Sequence, residues 1–480
     1  MYKDVTEKLS SVRIRTLVLA VIAVSVSYLG VWYYKRPKQV EPYVKNQWHN
    51  LYLLSGPFQT WNVPLIIFDV EILPHVFKPR REIWHDPAYT CRILCKHHPD
   101  GNNLLTFAIL ARKFIPEKDK IIDRLQKFGF ATHLSMVPDP RLHDAKEVIK
   151  IPTYLWLARN DHVIHITILH ERHGNYYWAG PVTDSDWFNM VNELKPQLTI
   201  DWRTLNGAVF PRYAQAYEMS HHLTGVATKI DKHEFIVPYN IKSFLKEYKE
   251  ARFIECDHER AKKYRDEYPV IATQEEYVYQ SDAKKLLIRA KKVLNKLGIP
   301  FWLSSGTLLG WYRECGIIPH GIDVDIGIWI HDYHNEIIPA MEREGLMLKH
   351  VFGRIQDSHE LSFIDEKDVK LDIFFFYQES DSVWNGGTRA YDGAKFKYKF
   401  PKFSLCWTEH LEDKFRVPCE TRSYIEANYG EDWDKPVKDW VWYSSPPNVE
   451  DNGYWEKSEW NEVIQVYDRV RNQPKVKVDL

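Results

Sequence analysis

The sequence predicts a mixed α/β protein of the α+β type, with one N-terminal membrane-spanning helix, a β-rich N-terminal domain and a C-terminal α/β domain. Three observations lead to this prediction. Residues 16–34 form an uncharged apolar run, and residues 51–248 contain short apolar runs separated by turn residues. Residues 274–297 have helical periodicity, and strand-like segments that carry acidic residues follow them. With 480 residues, the chain is long enough for two or three domains.

The overall composition excludes some classes of protein. The chain has 64 Lys and Arg against 65 Asp and Glu, which gives a net charge of −1. This balance argues against a nucleic-acid-binding protein, because such proteins normally carry a basic face. Hydrophobic residues at 44% and charged residues at 27% are typical of a folded globular chain.

The apolar run at 16–34 predicts an uncleaved signal anchor. A helix of about 20 apolar residues spans a bilayer, and Tyr28 and Trp32–Tyr34 cluster at one end as interfacial aromatic residues do. A cleaved signal peptide is the alternative, with Ser25–Ser27 as the small-x-small site. The run continues past that site, which favours the anchor. Basic residues flank the run on both sides, so charge leaves its orientation open.

The cysteines are compatible with disulfides and so give weak support to an oxidising lumen. Six cysteines allow 15 pairings. Cys91 and Cys95, with His97 and His98, also resemble half of a zinc site, but a disulfide is favoured. The six are Cys91, Cys95, Cys256, Cys315, Cys406 and Cys419.

Composition shifts divide the rest of the chain. Residues 35–50 read as a polar stem, 51–255 as the N-terminal domain, and the densely charged stretch 256–273 as a linker. Residues 274–480 form the C-terminal domain, which begins with the helix 274–297. Gly298 and Pro300 end that helix.

The segment after this helix carries a candidate site. Residues 301–304 predict a short strand, residues 308–314 a helix, and residues 322–330 a second strand that bears Asp323 and Asp325. Side chains at i and i+2 share one face of a strand, about 7 Å apart. Two carboxylates placed in this way can bind a divalent cation.

The small-residue turn Ser305-Gly306-Thr307 precedes this strand and offers backbone N–H groups and hydroxyls to a phosphate. Residues 369–376 predict a further strand, in which Asp372 is a lone carboxylate among apolar residues. A buried carboxylate is costly without a partner, so a metal is the natural one. A small-residue turn, a helix, an Asp-x-Asp strand and a third Asp form the nucleotidyltransferase arrangement of polymerase-β-like folds.

Longer motifs then identify a family. The segment 300–377 resembles the LicD family of phosphocholine and ribitol-phosphate transferases. The motifs that resemble the fukutin branch of this LicD/fukutin family are WLSSGTLLGWYRECGIIP, DVDIG, KLDIFFFY, WNGGT, PKFSLCWTEH and VPCETRSYIEANYGEDW. Weaker similarity runs back through CRILC, HERHGNYYWAG and ARFIEC, so the resemblance covers most of the chain beyond the anchor.

The resemblance implies a type II Golgi membrane enzyme, with residues 1–15 as the cytoplasmic tail and both domains lumenal. It implies transfer of ribitol 5-phosphate from CDP-ribitol to the N-acetylgalactosamine of the phosphorylated O-mannosyl (core M3) glycan of α-dystroglycan, with release of CMP. It also implies fukutin-related protein and the next glycosyltransferase of the pathway as partners, and it leaves a homo-oligomer open.

The resemblance also assigns roles to residues. Asp323 and Asp325 match the family's Asp-x-Asp and are expected to bind Mg²⁺ or Mn²⁺, while Asp372 is expected to be a third ligand or the base. Bacterial members often carry extra acids where this chain has Gly321 and Ile322, so the number of metals stays open. The residues expected to face the donor phosphates are Ser305, Gly306, Thr307 and, unless it is an exposed helix residue, Arg313.

Three further patterns have two interpretations each. Lys395, Lys397, Lys399 and Lys402 alternate with aromatic residues, which indicates a strand with a solvated basic face or with phosphate contacts. The segment 384–388 reads as a loop that closes over the substrate or as a turn. His170 and His173 are interpreted as structural histidines rather than as a metal pair.

Two rival functions remain. A Golgi glycosyltransferase would use its Asp-x-Asp to bind a nucleotide sugar through manganese, but it would normally place the motif after a longer nucleotide-binding unit. A non-catalytic, membrane-anchored glycan-binding adaptor would have a decayed site, and the intact acids argue against that. Donor preference and alanine variants of the acids separate these hypotheses.

Overall fold

The computed structural model describes residues 42–76, 93–95, 104–143, 146–198, 219–269, 273–319, 321–437 and 439–467. The predicted tail at 1–15 and membrane-spanning segment at 16–34 lie outside these ranges. Within them, no helix has both the length and the apolar composition that crossing a membrane requires. The described residues form a mixed α+β structure, as predicted, and their larger sheets are two sheets of nine strands each.

The first sheet belongs to the N-terminal half. Its strands are β1 (Ile66–Ile67), β2 (Leu104–Leu110), β3 (Ala131–Pro138), β4 (Lys150–Arg159), β5 (His162–Arg172), β6 (Tyr176–Trp178), β7 (Met219–His221), β8 (Gly225–Ile230) and β9 (His233–Pro238). The strand order is β3-β4-β5-β2-β1-β9-β8, and β6 joins β5 to β7. The central strands β2, β4 and β5 are almost wholly buried on both faces, and apolar side chains predominate in them.

Helices pack against this sheet and supply the rest of its core. They are α1 (Pro42–Thr60), α2 (Ala111–Phe114), α3 (Lys118–Lys127), α4 (Asp184–Leu194) and α5 (Ile241–Lys249). The structure corrects the predicted stem, because α1 begins at Pro42 and buries Gln47 and Asn50. Asn50 exchanges hydrogen bonds with Arg159, so residues 42–50 belong to the folded N-terminal half.

The second sheet belongs to the C-terminal half. Its strands are β10 (Phe301–Leu303), β11 (Asp323–Trp329), β12 (Met347–Arg354), β13 (Asp357–Ile364), β14 (Lys370–Gln378), β15 (Ser382–Arg389), β16 (Ala394–Pro401), β19 (Val449–Tyr454) and β20 (Ile464–Val466). Strands β17 (Leu405–His410) and β18 (Asp413–Pro418) form a separate hairpin. The order is β19-β16-β15-β14-β13-β12-β20, and β10 and β11 attach through β14.

The helices of this half are α6 (His258–Glu267), α7 (Gln274–Leu297), α8 (Ser305–Glu314), α9 (Ile337–Arg343), α10 (Thr421–Tyr429) and α11 (Trp460–Val463). Helix α7 has the predicted bounds. Thr273 and Glu276 form a capping box at its start, and Gly298 adopts the left-handed conformation (φ 73°) that ends it.

Part of the stretch predicted as a linker, 256–273, is a helix that packs on the C-terminal domain. Residues 258–267 form α6, and the Arg260 guanidinium donates to the Tyr312 carbonyl while lying over the Tyr312 ring. A disulfide between Cys256 and Cys315 ties the start of α6 to the end of α8. Charge density therefore indicates a solvated helix face here and not a flexible connection.

A small set of residues joins the two halves, and we call Arg172, Tyr176, Glu255 and Glu409 the inter-sheet joint. The Arg172 guanidinium donates to Glu255 at 3.0 and 3.1 Å and to Glu409 at 3.5 Å, and the Tyr176 hydroxyl donates to Glu409 at 2.5 Å. Beside it lies an apolar cluster of Val137, Tyr176, Trp178, Met219, Phe253 and Trp407.

Candidate active site

Three carboxylates meet on one face of the C-terminal sheet, and we call Asp323, Asp325 and Asp372 the acidic cluster. Strand β11 runs parallel to β14, with Asp325 opposite Asp372 and Asp323 opposite Lys370. Residues that are paired in this register, and those two positions along, share a face. One carboxylate oxygen from each acid lies within 4.8 Å of the others. The structure thus brings together the three predicted metal ligands.

Lys370 lies among these acids, although the sequence analysis gave it no role. Its ammonium is 2.8 Å from Asp372 and 3.1 Å from Asp323. Burial opposes its charge, but the carboxylates of Asp372 and Asp323 together raise its pKa above the usual value. The local charge of the ionised cluster with Lys370 is therefore −2.

This negative charge disfavours the ionised form of Asp325. Burial, followed by repulsion from Asp323 and Asp372, raises its pKa well above the usual value. A divalent cation would remove that repulsion, and oxygen ligands are those that Mg²⁺ and Mn²⁺ prefer. The charge and donor set of the acidic cluster therefore fit one such ion.

The predicted phosphate turn forms the first turn of α8. Ser305 has a φ of 41°, which turns the chain sharply from β10 into the helix. The Gly306 amide then donates to the Asp325 carboxylate at 3.1 Å. The Thr307 hydroxyl accepts from the Asp325 amide at 2.8 Å. Ser305 and Gly306 line the cavity beside the acidic cluster, whereas buried Thr307 holds β11 in place.

Arg313 is the predicted site residue that the structure places elsewhere. Its side chain is 5% exposed, so it is neither an exposed helix residue nor part of the cavity wall. The guanidinium donates to the Glu314 carboxylate at 2.6 Å and lies over the Tyr264 ring. Helix α8 turns this residue toward α6, so Arg313 connects these helices and does not reach the site.

A cavity of about 390 Å³ opens beside the acidic cluster. Besides the acids, its polar lining residues include Lys370, His350, Glu360, Asn385 and Asn428. Its aromatic side chains are Phe352, Phe374, Tyr398, Phe400, Tyr429, Trp440 and Trp442. The cavity can thus hold a charged group against the acids and flat or apolar surfaces against the rings.

Most of this wall is not predictable from the sequence, because strand register assembles it. Asp372 pairs with Ser362 of β13, and Ser362 pairs with His350 of β12, so three strands continue the row that Asp325 begins. The Ser362 hydroxyl donates to Asp372 at 2.6 Å. Glu360 and Ser362 alternate with Leu361 and Phe363 in the sequence, and that polar alternation was the available signal.

Two other patterns have structural outcomes. Residues 384–388 lie inside β15, where all five pair with β16 and where Trp384 and Asn385 also pair with β14, so they are neither a closing loop nor a turn. The lysines of β16 face away from the cavity, which Tyr398 and Phe400 line. Lys395, Lys397 and Lys399 form ion pairs with Asp357, Glu379 and Glu450, which favours the solvated basic face over the phosphate contacts.

The histidine and cysteine patterns are structural where the chain is described. Buried His170 bonds through Nε2 to the Pro152 carbonyl at 2.7 Å. Cys95 is disulfide-bonded, which excludes it as a zinc ligand, while Cys91 lies outside the described residues. Cys406 and Cys419 form a further disulfide across the β17–β18 hairpin.

Comparisons with known proteins assign the family. Residues 19–284 match the family model described as fukutin N-terminal, and residues 298–420 match the LicD/FKTN/FKRP nucleotidyltransferase domain. The ribitol-5-phosphate transferase FKTN of Mus musculus is 43% identical over 411 residues, covering 85% of each chain. The protein of that name from Homo sapiens is 42% identical over 413 residues, again 85% of each chain. That from Macaca fascicularis is 48% identical over 344 residues, which cover 71% of this chain and 72% of the relative. The chain therefore belongs to the fukutin family, whose C-terminal half is a LicD-type nucleotidyltransferase domain.

Proposed function

We propose that this chain is a ribitol-5-phosphate transferase that takes its donor from CDP-ribitol and releases CMP. The observation that carries the proposal is the acidic cluster, with its carboxylate oxygens within 4.8 Å of one another beside the cavity. The domain that holds it is the one that the chain shares with the relatives named ribitol-5-phosphate transferases.

On the donor side, Asp323, Asp325 and Asp372 would hold Mg²⁺ or Mn²⁺, since their charge and geometry fit such an ion. When bound, the ion would neutralise charge on the donor pyrophosphate. Ser305 and Gly306 begin the ten-residue helix α8 at this point, and the positive end of a helix dipole favours a phosphate. The Lys370 ammonium adds a further positive charge within reach of the cluster.

On the acceptor side, a sugar hydroxyl attacks the ribitol-linked phosphorus in line, and the bond to CMP breaks. We propose as acceptor the N-acetylgalactosamine of the phosphorylated O-mannosyl (core M3) glycan of α-dystroglycan. Membership of the fukutin family supports that choice. The aromatic wall with Tyr429, Trp440 and Trp442 offers ring faces to a nucleobase or a sugar.

We further propose a single-pass type II protein of the Golgi membrane, with residues 16–34 as the anchor and the catalytic half in the lumen. The apolar run and the family support this location. The disulfides Cys256–Cys315 and Cys406–Cys419 fit the oxidising compartment. Fukutin-related protein and the next glycosyltransferase of the pathway are the partners that follow from this proposal.

The test uses the purified full chain in detergent with CDP-ribitol, Mg²⁺ or Mn²⁺, and a synthetic core M3 phosphoglycopeptide. Acceptor mass and CMP release are both measured. We expect a ribitol-phosphate mass increment that disappears when the cation is chelated and in Asp325→Asn. Asp381→Asn is the matched control, because Asp381 is exposed and lies outside the cavity wall.

The same assay separates the rival functions. Transfer from a nucleotide sugar, with no reaction from CDP-ribitol, would indicate a glycosyltransferase. If every donor is inert with folded protein while the phosphoglycopeptide still binds, the adaptor hypothesis replaces our proposal.

A further inference from the structure

A histidine and a glutamate face the cavity one step beyond the acidic cluster. The imidazole Nε2 of His350 on β12 lies 3.0 Å from the Glu360 carboxylate on β13. Both side chains line the cavity. The register explains their position, since His350 pairs with Ser362, which pairs with Asp372. We call His350 and Glu360 the His–Glu pair.

The pair lies close enough to the acidic cluster for both to contact the same substrate group. One oxygen of Asp372 and one atom from each member of the pair all lie within 4.8 Å of one another. A hydroxyl group placed between them would be within hydrogen-bonding reach of both Asp372 and the pair. A hydroxyl at this place would lie next to a phosphorus held at the acidic cluster, because Asp372 belongs to both groups.

The side chains of the pair have no competing partner. Among the described residues, neither the His350 side chain nor the Glu360 side chain forms another hydrogen bond or ion pair. The His350 ring stacks on Phe352 at 4.0 Å, which fixes the orientation of the imidazole. By contrast, the Asp372 carboxylate is engaged by Lys370 and Ser362. A carboxylate that also served as a metal ligand would be a poor base.

We propose that the His–Glu pair removes the proton from the acceptor hydroxyl. This inference rests on the proposed transferase function and adds the base for it. As the acceptor oxygen forms its bond to the ribitol-linked phosphorus, its proton passes to the imidazole of His350. The bond from phosphorus to the CMP oxygen breaks, and CMP leaves with that electron pair. The pair is left as imidazolium and carboxylate, whose opposite charges stabilise each other.

The test compares His350→Ala and Glu360→Gln with wild-type full chain in the CDP-ribitol assay. General bases contribute about 10²–10⁴-fold to a rate, so we expect kcat to fall at least about 10²-fold in His350→Ala. The affinities for CMP and for Mn²⁺, measured by calorimetry and electron paramagnetic resonance, should stay within about twofold, since the pair is not assigned to either ligand. Added imidazole should restore part of the His350→Ala rate, because that truncation opens space on the cavity wall.

His331→Ala is the matched control, because the His331 side chain is 61% exposed and lies outside the cavity wall. A kcat within about threefold of wild type in both pair variants would overturn the inference. So would the loss of one Mn²⁺ from the binding stoichiometry, which would make the pair a metal site, or a lost rate that imidazole does not restore. A wild-type protein that never consumes CDP-ribitol would instead overturn the proposed function.

Discussion

Asp325 lies between two other carboxylates and is only 7% exposed. Its backbone amide and one carboxylate oxygen are held by Thr307 and Gly306 of helix α8. These contacts fix the side chain beside the carboxylates of Asp323 and Asp372. Without a cation, the same position forces like charges together in a buried place. The residue is therefore expected to favour binding at the expense of stability.

We predict that Asp325→Asn stabilises the cation-free protein at neutral pH while it abolishes transfer. A carboxyl whose pKa is raised in the folded state binds more protons folded than unfolded, so stability falls as pH rises. The loss begins near the unfolded value of about 4 and is complete above the raised value. Asn has no such charge, so the variant should exceed wild type by about 1–3 kcal/mol at pH 7 and match it near pH 3.

Denaturant unfolding in chelator, at several pH values, measures this difference. Saturating Mn²⁺ should reverse the order, because a ligand at 100 times its Kd adds about 2.7 kcal/mol to wild type. If Asp325→Asn is less stable than wild type in chelator, the charge repulsion that we assign to the cluster is wrong.

At the scale of elements, the sequence predicted the helices and strands whose signals lie within their own residues. Helix α7 carries its own caps, and the order of strand, turn, helix and Asp-x-Asp strand from Phe301 to Trp329 agrees with the structure. Asp323 and Asp325 were found as an Asp-x-Asp pair at i and i+2 of a predicted strand, and Asp372 was found as a lone carboxylate in an apolar run. The role of residues 384–388 was not found, since the two glycines there suggest a turn until the neighbours of β15 are known.

Gly387 explains why a glycine belongs in that strand. A Cβ at this position would lie 2.9 Å from the Trp442 ring and 3.2 Å from the Tyr398 ring. Both rings belong to the aromatic wall of the cavity. The loop that carries Trp442 therefore packs directly on the β15 backbone. The ring fits there because glycine has no side chain.

We predict that Gly387→Ala displaces Trp442 and raises the KM for donor or acceptor about 5- to 50-fold, with overpacking costing about 1–3 kcal/mol. Adding Trp442→Ala should recover part of the lost stability, because it removes one of the two colliding rings. Steady-state kinetics and thermal unfolding measure both effects. Gly56→Ala serves as the control, since a Cβ there meets nothing within 4 Å. Unchanged KM values in Gly387→Ala would show that the position of Trp442 does not matter for binding.

At the scale of the whole molecule, the inter-sheet joint connects the N-terminal sheet to the catalytic half. The Glu409 carboxylate accepts hydrogen bonds from Arg172 and Tyr176. Its backbone carbonyl accepts a hydrogen bond from Trp311 of α8 at 3.2 Å. Helix α8 begins at Ser305 and Gly306 beside the acidic cluster. A continuous set of contacts thus runs from β5 to the site.

No sequence pattern revealed this joint. Arg172 and Glu409 lie 237 residues apart, and each is an ordinary charged residue in a polar stretch. Their partnership depends on how the two sheets pack, which local periodicity does not encode. The same holds for the predicted linker, where charge density did not reveal that residues 258–267 form helix α6 or that Cys256 is bonded to Cys315.

We predict that Arg172→Ala uncouples the two halves. The Arg172 side chain is 1% exposed, and its loss leaves Glu255 and Glu409 without their cation at a place where burial already raises the pKa of Glu255. Breaking a buried pair costs about 3–5 kcal/mol. Calorimetry should therefore show a lower first transition and two separated unfolding events in place of one.

Arg112→Ala is the control, because the Arg112–Glu171 pair is exposed and should contribute less than about 1 kcal/mol. Combining Arg172→Met with Glu255→Gln and Glu409→Gln removes the stranded charges and should restore most of the stability. A single transition at the wild-type temperature in Arg172→Ala would show that the apolar cluster around Trp178 and Trp407 holds the halves together by itself.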